Sequence, residues 1–447
     1  MGILSKENSQ IIESLRYQIE QIREDRYRKV KKSYWIKEQI RQMHQEGIAC
    51  FLKKVRVLCQ KSFIAVLTLL AIPFVLIVRI IKPFVLVRFG ALFSSRIGHF
   101  AANTEVYLCE CDAGMHGDNF LDIFYHVSPI CNYQLKKMWD RTLHVFPWAR
   151  FLDKANCLLP GAKTHIIPMR RDETRDRDIY NLLERSLPHL SFTQQEEEFG
   201  KSELHRIGVA DTDSFVCFHA RDPEYLNAAF ERGYWNYHDY RDSNIQNYIP
   251  AAEELVRRGY FSIRMGAVVK EKINVDNPRI IDYATKHRTD FLDIYLGARC
   301  KFFICDTAGI YAIPEIFRIP IAWVNFIPLE HIPSWSKKQL FIPKKMFLIR
   351  ERRFLTFREI LDSGLGRFCG PEYYKNIGLE IVENTPEEIL DLVIEMDERL
   401  KGSWQQNAED EDLQNEFWKL FKPSNLNSAF FSRIGTKFLR QNQELLV

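Results

Sequence analysis

The sequence predicts an α/β protein: two Rossmann-like domains facing a cleft, preceded by a helical, membrane-associating arm. Three observations lead there. A chain of 447 residues is too long for one ordinary core. Its second half alternates short apolar runs with helical stretches, the pattern of βαβ units and a parallel sheet. Its first stretch is basic and helix-like, then gives way to an uncharged apolar run.

Composition narrows the reading further. Apolar residues make up 46% of the chain, which suits globular folding and argues against general disorder. Residues 1–61 hold 14 Lys/Arg against 7 Asp/Glu, whereas the whole chain carries only +4. A basic arm on a slightly acidic body speaks against nucleic-acid binding and for contact with acidic lipid headgroups. The ten cysteines form no C-x-x-C pair. Cys109 and Cys111 make a C-x-C, Cys300 and Cys305 flank an expected buried strand, and the set reads as reduced core thiols without structural zinc.

In chain order, residues 1–61 form the basic helical arm. Ile12, Leu15, Ile19 and Ile22 recur at helical spacing among mixed charges, so this helix is either solvated or self-associating. Residues 62–82 form a hydrophobic, membrane-associating segment. Its uncharged run from Phe63 to Val78 would span about 24 Å as a helix, short of the ~30 Å hydrocarbon core, and Pro73 would kink it. Lys61 before the run and Arg79 and Lys82 after it give no crossing direction. A monotopic or re-entrant segment at the cytoplasmic leaflet is expected, with a tilted span and a buried core helix as alternatives.

Residues 83–205 are expected to form the first Rossmann-like domain. It has a strand over 84–89, a loop through Ser94, Arg96, Gly98 and His99, helices over 132–143 and 176–187, and a polar stretch over 193–203. Residues 206–370 are expected to form the second. Its strands lie over 215–219, 260–265, 302–305 and 321–325, with helices over 245–258, 291–298 and 308–317. Residues 371–447 read as a C-terminal helical region packing across both domains.

Chemistry is expected where strands of the second domain end, because ligands of open parallel sheets bind outside the carboxyl ends of the strands. His219, Arg221 and Asp222 directly follow the strand 215–219. The Arg fork suits diphosphate oxygens, although pairing of Arg221 with Asp222 or another acid would merely tie the loop down. Asp306, Thr307, Ala308 and Gly309 stand between a strand and a helix, either as an anion site at the helix start or as an ordinary N-cap. Glu315, about two turns on, could face the same crevice and reach a ribose. Arg264 and Gly266 end a third strand, the glycine allowing close backbone approach. Arg221 and Arg264 together would neutralise a departing nucleoside diphosphate without a metal.

The run 215–328 resembles a bacterial family of glycosyltransferases found in surface-polysaccharide clusters. The residues that carry the likeness are FHARD (218–222), YRDSNIQNYIPA (240–251), RMG (264–266), IIDYA (280–284, which holds Asp282), TDFLDIYLGARCKFFICDTAG (289–309) and FRIPIAWVNFIPL (317–329). SRIGHF (95–100) and FLRQN (438–442) extend it over most of 84–447. The H-x-R at a strand end is also similar to that of GT-B fucosyltransferases, whose Arg holds the donor diphosphate, a role that would fall on Arg221 with His219 nearby. The resemblance implies a GT-B layout with the nucleotide-sugar donor in the second domain, held by His219, Arg221, Arg264, Gly266, Asp282, Asp306, Thr307, Ala308, Gly309 and Glu315. It implies a lipid-linked or polysaccharide acceptor entering from the first domain, at the cytoplasmic face of the bacterial inner membrane.

An inverting transferase needs a base for the acceptor proton. His99 is the first choice, with Asp222, Glu110 and Asp118 as competitors and a structural loop histidine as the plain alternative. Three Asp-x-Asp pairs (Asp176/Asp178, Asp211/Asp213, Asp410/Asp412) sit in polar segments rather than after an apolar strand, so neither a metal nor another cofactor is expected. P-loop, dinucleotide and nucleophile-elbow motifs are absent from the sequence. Pyruvyltransferase-like chemistry and a non-catalytic, membrane-tethered assembly role remain as alternatives.

Overall fold

The structure, a computed structural model, describes residues 15, 52, 55–229, 236–367, 370–427 and 429–446. The expected arm helix, with its self-association, lies almost wholly outside these residues. The apolar segment forms a helix over Val55–Ile80, of which little is buried. It breaks at Ala71 and resumes as Ile72–Ile80, with Pro73 in the first turn. A proline there forfeits no hydrogen bond, since that N–H would have no partner in any case.

Strands β1 (Leu86–Leu92) and β2 (Phe120–His126) follow and pair in parallel. Single bridges at Phe89–Ile166 and Phe124–Val145 extend them on either side. This sheet is smaller than a full Rossmann-like domain. Its core is not separate either: Phe100, Tyr107 and Trp139 pack with Ile294, Ala312, Ile313 and Ile316 of the second half. The helix Ile97–Asp112 is therefore buried along most of its length, between the two halves.

The second half carries a seven-stranded, all-parallel sheet. Its strands are β3 (Phe215–His219), β4 (Phe261–Arg264), β5 (Ile280–Ile281), β6 (Phe303–Cys305), β7 (Ile321–Phe326) and β8 (Gln339–Pro343), joined late by β12 (Arg433–Ile434). A small antiparallel sheet of β9 (Lys345–Leu348), β10 (Arg353–Phe354) and β11 (Leu379–Val382) stands apart. In the large sheet the order is β12-β8-β7-β6-β3-β4-β5. From β3 the chain steps outward through β4 and β5, then returns to place β6 on the other side of β3. The strand order thus reverses between β3 and β6, which is where a crevice opens in such sheets. Near-continuous apolar strands such as β7, buried at every position, are what a sheet covered on both faces requires. The C-terminal region is part of this body, since β12 completes the sheet edge and Arg440 pairs with buried Asp410.

Two local expectations are corrected. Residues 176–187 are not a helix but turns with a short 3₁₀ stretch, Leu183–Arg185. Asp178 accepts the backbone N–H groups of Leu182 and Leu183, both at 2.8 Å, and offers the backbone an alternative to helix. The polar stretch 193–203 is instead the start of a helix, Gln194–Arg206, opened by a Thr193/Glu196 capping box.

Two arginines, the partly buried Arg318 and the buried Arg177, clamp the halves together. Arg318 donates to Glu105 at 2.7 Å and to the carbonyl of Leu183 at 2.6 Å. Arg177 donates to the carbonyls of Leu426 (2.6 Å), His331 (2.8 Å) and Ile332 (2.9 Å) and lies over the Trp335 ring. Arg177→Met would leave three carbonyls without their charged donor, at roughly 1–3 kcal/mol for each one left buried and unsatisfied. The expected outcome is a large drop in the urea midpoint, with the exposed Arg171→Met as an unaffected control.

Candidate active site

The crevice at the β3/β6 reversal is an open cleft. Its walls come from both halves of the chain. The helix start Arg96–His99 and Asp176 face it from the first half. The ends of β3 (His219–Asp222), β4 (Gly266–Val268) and β6 (Thr307–Tyr311), with His238 and Arg241, face it from the second. At this point the halves meet backbone to backbone: a Cβ on Gly98 would stand 3.0 Å from both Cα and the carbonyl oxygen of Gly309. Glycine at both positions lets the helix start and the β6 turn meet. At the third wall Gly266 has φ +155°, and a Cβ there would lie 2.6 Å from Val269.

Asp306 sets the β3 end. It is completely buried, and one carboxylate oxygen accepts both the backbone N–H of Arg221 (2.7 Å) and the hydroxyl of Ser243 (2.8 Å). Burial pushes its pKa upward. The Arg221 guanidinium is paired with Asp242, and its Nη2 has no hydrogen-bond partner among the described residues. Burial and then the neighbouring Arg241 lower its pKa to about 10. Arg241 donates to the carbonyl of Thr307 at 3.1 Å and contacts His238 Nδ1 at 2.9 Å, its buried Nε having no hydrogen-bond partner among the described residues. His238 is held neutral, its pKa lowered to about 3 by burial and then by Arg241, Arg221 and Arg96. His219 is likewise lowered to about 4, by burial and Arg264. Three guanidinium groups around a histidine that cannot charge make a place for an anion.

Arg241 was not singled out in the sequence, and Arg264 does not take the role expected for it. In-register with Phe218 on the adjacent strand, Arg264 is 1% exposed and bonded to Asp282 (3.1 Å) and the carbonyl of Glu271 (2.9 Å). It lines a second cavity on the other side of Arg221, with Lys270 and Glu383. Asp282 also stays inside the fold, accepting from Ile273 N and Thr285 Oγ1. Beside the ends of β3 and β6 the cleft is therefore lined by Arg221 and Arg241 rather than Arg264, Arg241 being brought from a 3₁₀ turn, Asn236–Arg241.

The β6 turn also differs from the expected helix start. Gly309–Tyr311 is a 3₁₀ turn and the following helix, Ala312–Ile316, has only five residues, too short for a substantial dipole. Thr307, Ala308 and Gly309 still line the cleft, and the buried Thr307 hydroxyl has no hydrogen-bond partner among the described residues. Glu315 does not reach it. Its carboxyl is buried against Trp335 Nε1 (3.2 Å), and burial pushes its pKa up to about 8, with Asp176 and Asp178 adding to the rise.

On the opposite wall His99 Nδ1 stands 3.6 Å from Asp176, an ion-pair rather than a hydrogen-bond distance. Burial lowers the His99 pKa below its ordinary 6.5, and Asp176 opposes that shift. Asp222 lines the cleft, but its two oxygens accept the backbone N–H groups of Glu224 (3.0 Å) and Lys270 (2.9 Å). Glu110 is taken by His116 and Arg170 away from the cleft, and Asp118 is exposed outside it. Asp176 and Asp178 do not face one point, since Asp178 is spent on backbone amides.

No protein-family model matches the chain, and no curated protein matches it. Among solved structures it is similar to a glycosyl transferase family 9 protein from Veillonella parvula DSM 2008, at 12% identity over 58% of this chain and 86% of that one, with a TM-score of 0.37. It is also similar to the ADP-heptose LPS heptosyltransferase II of E. coli, at 10% identity over 57% and 90% of the two chains, with a TM-score of 0.34. Likenesses of that size assign no activity to this chain.

The buried Glu315 gives this region a pH signature. Its folded pKa lies above its unfolded value of 4.5, so its contribution is complete below that value and is lost as pH rises through about 8. The wild-type melting temperature should therefore fall relative to that of Glu315→Gln between about pH 5 and pH 9, read by scanning calorimetry.

Proposed function

We propose that this chain is a GT-B-like glycosyltransferase. It would move a sugar from a nucleotide-sugar donor to a lipid-linked or polysaccharide acceptor at the cytoplasmic face of a bacterial inner membrane. The observation that carries the reading is the cluster of Arg221 and Arg241 at the strand reversal, facing His99 across the Gly98–Gly309 contact. Two permanent cations, each with a guanidinium nitrogen that lacks a hydrogen-bond partner among the described residues, suit a diphosphate whose charge grows as it leaves. A neutral histidine beside a carboxylate suits proton removal from an acceptor hydroxyl.

In this reading the acceptor oxygen attacks the anomeric carbon as the bond from that carbon to the diphosphate oxygen breaks. His99 takes the acceptor proton and Asp176 stabilises the imidazolium that forms. Arg221 and Arg241 meet the charge gained by the nucleoside diphosphate, so the step needs no metal. A single displacement inverts the anomeric centre. The exposed apolar helix 55–80 supports the membrane location: it would confine enzyme and lipid-linked acceptor to one surface and raise their effective concentration.

A thermal-shift panel of UDP, GDP, CMP and dTDP tests the donor side. One nucleotide should raise the melting temperature, and Arg221→Ala and Arg241→Ala should each abolish the rise while Arg171→Ala leaves it intact. No shift with any nucleotide, with phosphoenolpyruvate shifting instead, would favour a pyruvyl-type transfer and overturn the reading. On the acceptor side, kcat/KM should be full above the His99 pKa and fall as pH drops below 6.5. His99→Gln should lose that limb together with roughly 10²–10⁴ of the rate.

A further inference from the structure

The helix 55–80 does not stand alone. Its C-terminal half docks on the first half of the protein, where Ala71 and Val75 pack against Ala155 with Phe151, Leu152 and Leu159. Arg79 fixes the contact by donating to the carbonyl of Pro160 (2.5 Å) and to Asn156 Oδ1 (2.7 Å). The docking helix, Ala149–Cys157, turns a second face outward. Arg150, Lys154, Cys157 and Leu158 are exposed there, at a spacing that places them on one side of a helix. Just before it Trp148 stacks on Phe146 at 5.1 Å, with 49% of the Trp and 39% of the Phe exposed, and Leu158 at the other end is 62% exposed.

Charge on this surface has one sign. Residues 144–163 contain Arg150, Lys154 and Lys163 against the single acid Asp153, which is buried beneath the Tyr125 hydroxyl at 2.6 Å. Next to it the helix 55–80 presents Phe63, Leu70, Phe74 and Ile77, each more than half exposed. An aromatic pair, an outward leucine and cations with apolar stems describe a surface made for the headgroup layer rather than for water. Continuity with the exposed apolar helix and the missing outward acid both select an anionic bilayer as the occupant.

We propose that the face formed by residues 144–163 lies on an anionic bilayer, so that the folded body, and not only helix 55–80, is seated on the membrane. The inference rests on the membrane reading of that helix. Its consequence is geometric: β1 leads from the docked helix to the helix start at Arg96–His99, so the His99 wall of the cleft belongs to the part that touches lipid.

Native Cys157, exposed within the face, provides the readout. Full-length protein is mixed with phosphatidylglycerol-containing vesicles, tested by flotation, and treated with a membrane-impermeant maleimide, labelling being resolved by peptide mass spectrometry. Flotation with Cys157 modified several-fold more slowly than without vesicles is expected. In Arg150→Glu/Lys154→Glu the protein should still float, but the protection should be lost. Flotation without protection would overturn the seating of the body and leave the tether reading intact, whereas failure to float would overturn both. Protection that grows with protein concentration in the absence of vesicles would mean that a second copy covers the face, and would also overturn the proposal.

Discussion

One oxygen of Asp306 accepts a hydrogen bond from the Arg221 backbone and another from the Ser243 hydroxyl, while the carboxylate lies wholly out of water. A buried carboxylate is expensive unless its lone pairs are met. Meeting those of Oδ2 here brings the end of β3, the end of β6 and the 242–243 turn into one arrangement, while Oδ1 has no hydrogen-bond partner among the described residues. Ser243 N closes the link from the other side by donating to the Arg221 carbonyl at 3.0 Å. The same turn carries Asp242, which pairs with Arg221, and its carbonyl accepts from the buried Lys344 at 2.5 Å. The geometry of the cation cluster thus follows from where one acid must sit.

The charges inside the cleft are consistent with that constraint. Guanidinium groups remain charged where imidazoles do not, so burial among arginines leaves His219 and His238 neutral while Arg221 and Arg241 keep their charge. Arg264 illustrates the opposite arrangement. It is buried as deeply and paired with Asp282, and it stays inside the fold where Arg221 and Arg241 line the cleft. An arginine at a strand end is therefore not enough. What separates the two is where each side chain lies: Arg221 and Arg241 line the cleft at the strand reversal, Arg264 only the second cavity.

Much of this was legible in the sequence. The strands after 215, 261, 303 and 321 were set by apolar runs, and the order of strand and helix placed His219, Arg221 and the 306–309 turn at one edge. Gly98 and His99 were singled out from their place after the first strand, although they open the helix Ile97–Asp112 rather than lie in a loop. What escaped was whatever depends on distant partners. Arg241 gains its place from the Thr307 carbonyl, and Arg264 loses its place to Asp282, eighteen residues on. Neither partner leaves a local trace. The segment 176–187 looked helical by charge, but it lacks apolar periodicity and Asp178 captures its amides. The helix at 194 could have been read, because Thr193 and Glu196 spell a capping box that its acidic composition obscured.

The central claim is that an anionic diphosphate is bound at the β3/β6 reversal, between Arg221 and Arg241. Crystals soaked in the nucleoside diphosphate that the chain prefers provide the most direct measurement, through the position of the two phosphorus peaks in difference density. The account predicts both peaks within hydrogen-bonding reach of the Arg221 and Arg241 guanidinium groups, below the Gly98–Gly309 contact. Peaks beside Arg264 in the second cavity, with the cleft empty, would contradict it.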